Sequence, residues 1–347
     1  MSHPQIEIQK AMSFSPLVSI VIPVYNGANY MREAIDSALA QSYDNCEVLV
    51  VNDGSSDKGE TERIALGYGD RIRYFSKGNG GVASALNLGI REMRGEYFSW
   101  LSHDDIYLPH KISAQIAFMG RFELHGAVLY SDYELIDAAG NVTGAYDSPD
   151  VAPEEMFRFL YNAKSIHGCT LLIPKQALLE AGCFPEEFPT TQDSELWFRL
   201  CRMRSFVLQK ERLIQVRLHE GQGCRTLPSH RRELRAFYFR HLPGLLVYGG
   251  ESLALPDAAK RESFLLTEAL GYRMEEGDIG PVWDTFMLAL VRTKGLASKV
   301  ALLQRLGRFL AWSGLRRVYL KLPTSLRQRL APFKAKNVPE KIRGEHI

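Results

Sequence analysis

Two short apolar runs, "LVSIVIPVY" (17–25) and "CEVLVVNDGSSD" (46–57), bracket the segment "NYMREAIDSALAQ". Both runs are rich in β-branched residues and lack polar alternation, the pattern of strands buried on both faces of a parallel sheet. Between them Tyr30, Ala34, Ala38 and Leu39 recur at helical spacing. Strand, helix and strand within about 35 residues form a βαβ unit of right-handed crossover. That unit commits the chain to an α/β fold.

The pattern continues for two more strands. "RIRYF" (71–75) predicts a third, "GGVASALNLGIREMRG" a helix closed by Gly95, and "EYFSWLS" a fourth strand running straight into Asp104 and Asp105. A helix from Leu108 to about Leu124 should follow, with Pro109 near its first turn. Beyond residue 126 "AVLYSDYELIDAAGNVTGAY" reads as a strand and a hairpin, and "CTLLIP" as another strand before a short helix capped by Gly182. "DSELWFRLCRM" is helical, "SFVLQK" and "RLIQVRLH" read as two strands, and only helical periodicity follows Pro228. The expected architecture is a mostly parallel open sheet with helices on both faces. It divides into a loose N-terminal segment (1–16), an α/β domain (17–225) and a C-terminal helical, basic region (226–347).

Composition narrows the class. With 347 residues, 46% of them hydrophobic, the chain can bury one large core and a smaller appended unit. Cys46, Cys169, Cys183, Cys201 and Cys224 are scattered without a C-x-x-C pair, which argues against a disulfide framework or structural zinc and for a reducing cytoplasm. "MSHPQIEIQKAMSFSPLVSI" lacks the basic and apolar regions of a secretion signal, and no window approaches the roughly 18 apolar residues of a membrane span. A soluble, cytoplasmic protein is expected.

The net charge of +2 hides an asymmetry: residues 291–347 hold 14 Lys/Arg against two acids, and the rest of the chain is acidic. Within that tail "LASKVALLQRLGRFLAWSGLRRVYLKL" is an amphipathic basic helix. It suits peripheral contact with an anionic membrane at its inner face, or equally the packing of its Leu stripe on the protein body. Nucleic acid is not an expected partner, because no recognition motif accompanies the charge.

In open α/β sheets ligands sit outside the carboxyl ends of the strands, and Asp53 and the Asp104/Asp105 pair both fall there. Adjacent carboxylates resist joint ionisation unless a cation is near, and one or two carboxylates commonly hold Mg²⁺ or Mn²⁺ together with substrate phosphates. On residue pattern alone the pair reads equally as a helix cap beside a solvated acid. Asp53 also reads as a turn residue into Gly54. "GNGGVA" (78–83) is a weak glycine-rich match, better read as a flexible loop. Asp193 alone reads as an ordinary N-cap, and His219 before "EGQG" as a structural histidine.

Taken together, these pieces resemble the family 2 glycosyltransferases, whose nucleotide-sugar-binding fold is called GT-A. The resemblance starts at "VSIVIPVYNGANYMREAIDSALAQSY" and continues through "EVLVVNDGSSDKG", "NGGVASALNLGI" and "SWLSHDDIYLP". It ends with "CTLLIPKQALLEAGCFPEEF" and "TQDSELWFRLC". It implies that Pro23 and Tyr25 cradle a base and that Asp53 hydrogen-bonds the base edge, with Gly80 and His103 also on the nucleotide. It further implies that Asp104, beside Asp105, holds a divalent cation (Mn²⁺ or Mg²⁺) in the family's D-x-D position. His219 would assist at the diphosphate or metal, and Asp193 would be the general base. Ser102 and Gln192 depart from the family's acids at their positions. The implied function is metal-dependent, inverting sugar transfer from a nucleotide-sugar donor, UDP-linked, to a hydroxyl of a glycan or lipid-linked acceptor. The alternative is a catalytically silent nucleotide-sugar-binding scaffold of a glycan-assembly complex.

Overall fold

The structure, a computed structural model, describes residues 14–162, 166–221, 229–248 and the isolated positions 286, 299, 303 and 304. Of the basic tail only Lys299, Leu303 and Gln304 are described, all helical, so the membrane-helix expectation lies outside the described residues. Contacts divide the chain into two compact units, Met1–Leu242 and Pro243–Ile347. Among the described residues no helix is long and apolar enough to cross a membrane.

The first unit is built on two sheets. In the larger, the order is β3 (Arg73–Ser76), β2 (Cys46–Asn52), β1 (Val18–Val24), β4 (Tyr97–Trp100) and β8 (Ile173–Pro174). The first four run parallel and β8 is antiparallel to β4. All seven residues of β1 are buried, as its unbroken apolar run predicts. Pro23 is accommodated because β4 pairs with β1 only as far as Val21, so its missing N–H falls past the end of that ladder. Helices α1 (Met31–Leu39), α2 (Glu60–Leu66) and α3 (Val82–Glu92) connect these strands.

The smaller sheet has the order β5 (Ile106–Tyr107), β9 (Phe206–Arg217), β6 (Val128–Ile136) and β7 (Val142–Tyr146). The β6–β7 hairpin is as expected, but the two strands read from "SFVLQK" and "RLIQVRLH" are one, β9. Lys210 and Glu211, between the two runs, form a bulge within it: Ser131 pairs with Gln209 and Asp132 with Arg212. β9 runs parallel to β6, with register shifts near Asp132, and antiparallel to β5.

Three further expectations are corrected. "CTLLIP" is a strand only in its second half: Cys169 and Thr170 lie in a 3-10 turn (Gly168–Thr170), Leu172 bridges Leu129, and β8 is the last two residues. Gly95 does not close α3, whose last residue is Glu92. Gly95 instead lies where a Cβ would come within 2.7 Å of the Leu17 carbonyl, and its N–H donates to Ser19 Oγ. The helix after the acids, α4 (Lys111–Phe122), starts later than predicted, because the Leu108 N–H still donates to the Leu213 carbonyl of β9 and His110 is the N-cap. Helices α5 (Pro153–Tyr161), α6 (Lys175–Glu180), α7 (Gln192–Leu200) and α8 (His230–Tyr248) complete the described elements.

A buried lysine fixes the turn between the sheets. Lys111 is fully buried; its Nζ donates to Ser99 Oγ (2.9 Å) and Gln115 Oε1 (2.8 Å) and lies 4.3 Å from the Tyr107 ring centre. Tyr107 in turn donates to the Trp100 carbonyl, tying β5 to the end of β4. Burial pulls the Lys111 amine down to about 7 from 10.5. Between those values folding releases a proton, so rising pH favours the folded state, and the burden is complete below pH 7. Urea midpoints from pH 6 to 10 should therefore show wild type gaining on Lys111→Met as pH rises from about 7. A constant gap would refute it.

Candidate active site

The carboxyl edge of the parallel sheet carries three loops. After β1 comes Tyr25-Asn26-Gly27, after β2 Asp53 to Ser56, and after β4 Ser102 to Asp105. The first two are stitched together: the Asn26 N–H donates to Ser55 Oγ, and the Ser56 N–H donates to Asn26 Oδ1. Asn26 adopts φ 50, the left-handed region that asparagine tolerates. Tyr25 stands 46% exposed at this edge, its ring open to a ligand. Gly27 allows the third loop to approach, since a Cβ there would lie 2.7 Å from His103 Cδ2. His103 is half-buried, and desolvation lowers its pKa, keeping it neutral.

Asp53 is buried and has three internal partners. Its carboxylate accepts from Lys77 Nζ (2.7 Å), Gly80 N (3.0 Å) and Gly81 N (2.7 Å). It thus holds the "GNGG" loop closed over the end of β2, and Gly80 serves as a backbone donor to it. The turn role read for Asp53 belongs to Asn52, whose Oδ1 accepts from the Ser55 N–H.

The acid pair divides in two directions. Asp104 is half-buried at the carboxyl edge of the sheet, and His219 Nε2 lies 2.9 Å from its Oδ2. Asp105 faces inward, buried, with Oδ1 accepting from the Arg217 N–H at 2.9 Å. Burial first, then the Asp104 charge, pushes Asp105 well above the usual carboxylate range, so it favours the protonated form. Beside it lie His167, with Nε2 3.9 Å from Asp105 Oδ2, and Cys169, whose Sγ meets the Ser102 N–H and hydroxyl. Burial drives His167 down to about 4 and Cys169 well above its ordinary value, so both are neutral.

Two donor sets could hold a metal. Asp105, His167 and Cys169 offer ligand atoms within 4.8 Å of one another. That set is buried, includes a thiol, and already engages Arg217 and Ser102, a poor match for a hard cation that also needs phosphate oxygens. Asp104 and His219 are the better fit: a carboxylate and an imidazole converge, each about 15% exposed, at a strand end where a diphosphate can reach them. The structure thus separates Asp105 from Asp104 and places His219 with Asp104.

Asp193 is the second residue of α7, whose N-cap is Thr191, so it is not itself the cap. Its Oδ1 accepts from the Ser194 N–H at 2.7 Å. Burial raises its pKa, with His230 opposing the rise. The helix is fixed behind it: Trp197 Nε1 donates to the Ile166 carbonyl, next to His167, and Glu195 pairs with Arg240 and His241 of α8.

Several residues escaped the sequence. Arg217, His167, Lys77, Tyr30 and His230 all border these groups. A signal existed for Arg217: in "VRLH" it sits two before His219, so the two share one face at the end of a strand. A cavity of about 420 Å³, lined by Arg71, Arg73, Arg94 and Glu47 among others, opens at the opposite, amino ends of β2 and β3.

An open parallel sheet with carboxylates at its carboxyl edge and a mixed sheet appended beside them defines the GT-A class of nucleotide-sugar-binding folds. The fold is shared with S. aureus TarS 1-349, solved in complex with UDP-GlcNAc (TM-score 0.51, 17% identity, 82% of this chain and 89% of that one). The model for glycosyl transferase family 2 matches residues 19–178. An uncharacterized glycosyltransferase of Rickettsia typhi is 43% identical over 294 residues, covering 80% of this chain and 91% of its own. The chain belongs to glycosyltransferase family 2. An uncharacterized glycosyltransferase of Rickettsia felis is 50% identical over 234 residues, 65% of this chain. Chondroitin synthase of Pasteurella multocida is 30% identical over 192 residues, 55% of this chain and 19% of its own. The chain matches only 35–38% of the length of the Rickettsia felis, bellii and conorii relatives.

Proposed function

We propose that the chain transfers a sugar, with inversion, from a UDP-linked donor to a hydroxyl of a glycan or lipid-linked acceptor. The observation that carries this reading is the Asp104–His219 pair, 2.9 Å apart at the carboxyl edge of the sheet. Asp104 and His219 would hold Mn²⁺ or Mg²⁺, which when bound supplies Lewis-acid stabilisation to the negative charge growing on the leaving diphosphate. Tyr25 forms the wall for the base, with Pro23 buried in β1 two residues before it, and Asp53 keeps the Gly80 loop in place beside it. Asp193 accepts the proton of the attacking hydroxyl. With Asp193 as the base, a single displacement follows, hence inversion. The relatives' names support sugar transfer, and TarS's UDP-GlcNAc supports the donor class.

Calorimetry with UDP, with and without Mn²⁺, followed by a screen of UDP-sugars for slow hydrolysis, tests the reading. Wild type should bind UDP more tightly with Mn²⁺ and hydrolyse at least one UDP-sugar. Asp104→Ala should lose the Mn²⁺-dependent gain. Binding without turnover of any sugar would favour the silent scaffold, and no binding of UDP under either condition would end the proposal.

A further inference from the structure

Arg217 is one of the largest fully buried side chains, and its contacts span several elements around the acid turn. Its own N–H donates to Asp105 Oδ1 and its Nε to the Asp104 carbonyl, both at 2.9 Å. Nη1 donates to the Asp137 and Ala138 carbonyls (3.3 and 3.2 Å), and Nη2 to Glu33 Oε2 (2.8 Å). The plane lies 4.4 Å over the Tyr30 ring, and Tyr30 also meets the His219 imidazole at 5.3 Å. One side chain thus joins α1, the acid turn, the β6–β7 loop and the end of β9.

We propose that Arg217 is the positioning residue of the metal–diphosphate subsite, fixing Asp104 from behind while its place two residues before His219 sets the imidazole against the same carboxylate. The proposal rests on the reading of Asp104 and His219 as cation ligands. Arg217 touches neither substrate nor cation; it acts on the backbone and ring that carry the ligands. Only a planar fork with several donors can meet carbonyls on two loops and a carboxylate on a helix at once. A lysine keeps the charge and loses the fork. Partners of this kind orient ligands and commonly govern metal affinity by about 10–100-fold.

The test is calorimetric titration of UDP into the full chain, with and without Mn²⁺, for wild type, Arg217→Lys and Glu33→Ala. Arg217→Lys is expected to lose about 10–100-fold of the Mn²⁺-dependent gain in UDP affinity while keeping its metal-free UDP affinity. Glu33→Ala, which frees Nη2 but leaves the guanidinium in place, should lose part of that gain. It carries the test if Arg217→Lys does not fold. Unchanged Mn²⁺ gains in the folded variants would overturn the proposal and leave the metal reading standing. Equal losses with and without Mn²⁺ would make Arg217 a general prop and also overturn it. A wild-type chain with no Mn²⁺ gain would overturn both readings together.

Discussion

Asp193→Asn is expected to keep Mn²⁺-dependent UDP binding and to lose sugar transfer by about 10²–10⁴-fold, the usual worth of a positioned general base. Asparagine matches the shape and retains an oxygen for the Ser194 N–H, so the first turn of α7 should not move. What it lacks is a lone pair basic enough to take the hydroxyl proton. Burial lifts the Asp193 pKa, which places the base closer to the working pH. Transfer by wild type should accordingly fall as pH is lowered, starting above the ordinary aspartate range. Rates of UDP release with and without acceptor, set beside UDP calorimetry, read both halves. A variant transferring at the wild-type rate would remove Asp193 from the chemistry.

Trp197→Ala should cost about 3–5 kcal/mol, by analogy with other large aromatic truncations in cores. Trp197 is fully buried in α7, packs edge-on against Phe184 (ring centres 5.9 Å apart) and donates to the Ile166 carbonyl at 3.2 Å. The substitution leaves a cavity and removes the indole hydrogen bond. Since whole domains are stable by about 5–15 kcal/mol, this is a large share of the total. Urea unfolding followed by near-ultraviolet circular dichroism would measure it, and a loss below about 1 kcal/mol would mean the site collapses without penalty. Asp193 rides on the same helix, so transfer should weaken along with stability.

The buried parallel strands were legible because nothing in Val18–Val24 or in Val48–Val51 could face water. The strand-end acids were legible for the same reason, since their sharp contrast with those runs marks the sheet edge. Two-residue strands such as Ile106–Tyr107 carry no periodicity at all and exist only through their partner in β9. The apolar character of "CTLLIP" reported burial correctly but not where the pairing begins, because the 3-10 turn that holds Cys169 and Thr170 is as apolar as the strand after it. The division of labour between Asp104 and Asp105 was hidden altogether. It depends on an amide and a histidine 112 and 115 residues away, and local pattern says nothing of such partners. The three donors on Asp53 were hidden likewise, although the glycines that supply two of them had been noticed as a motif.

The β9 strand has a consequence for how the molecule comes into being. As the chain leaves the ribosome, the edge that carries Asp104 emerges more than a hundred residues before Arg217 and His219 arrive to complete it. A nascent protein with only its first sheet assembled has Asp105 waiting without its amide donor. Any fragment that stops with the family match at residue 178 stays in that unfinished condition. The smallest piece of the chain that can assemble this edge is therefore set by the far end of one late strand rather than by the parallel sheet that bears the acids.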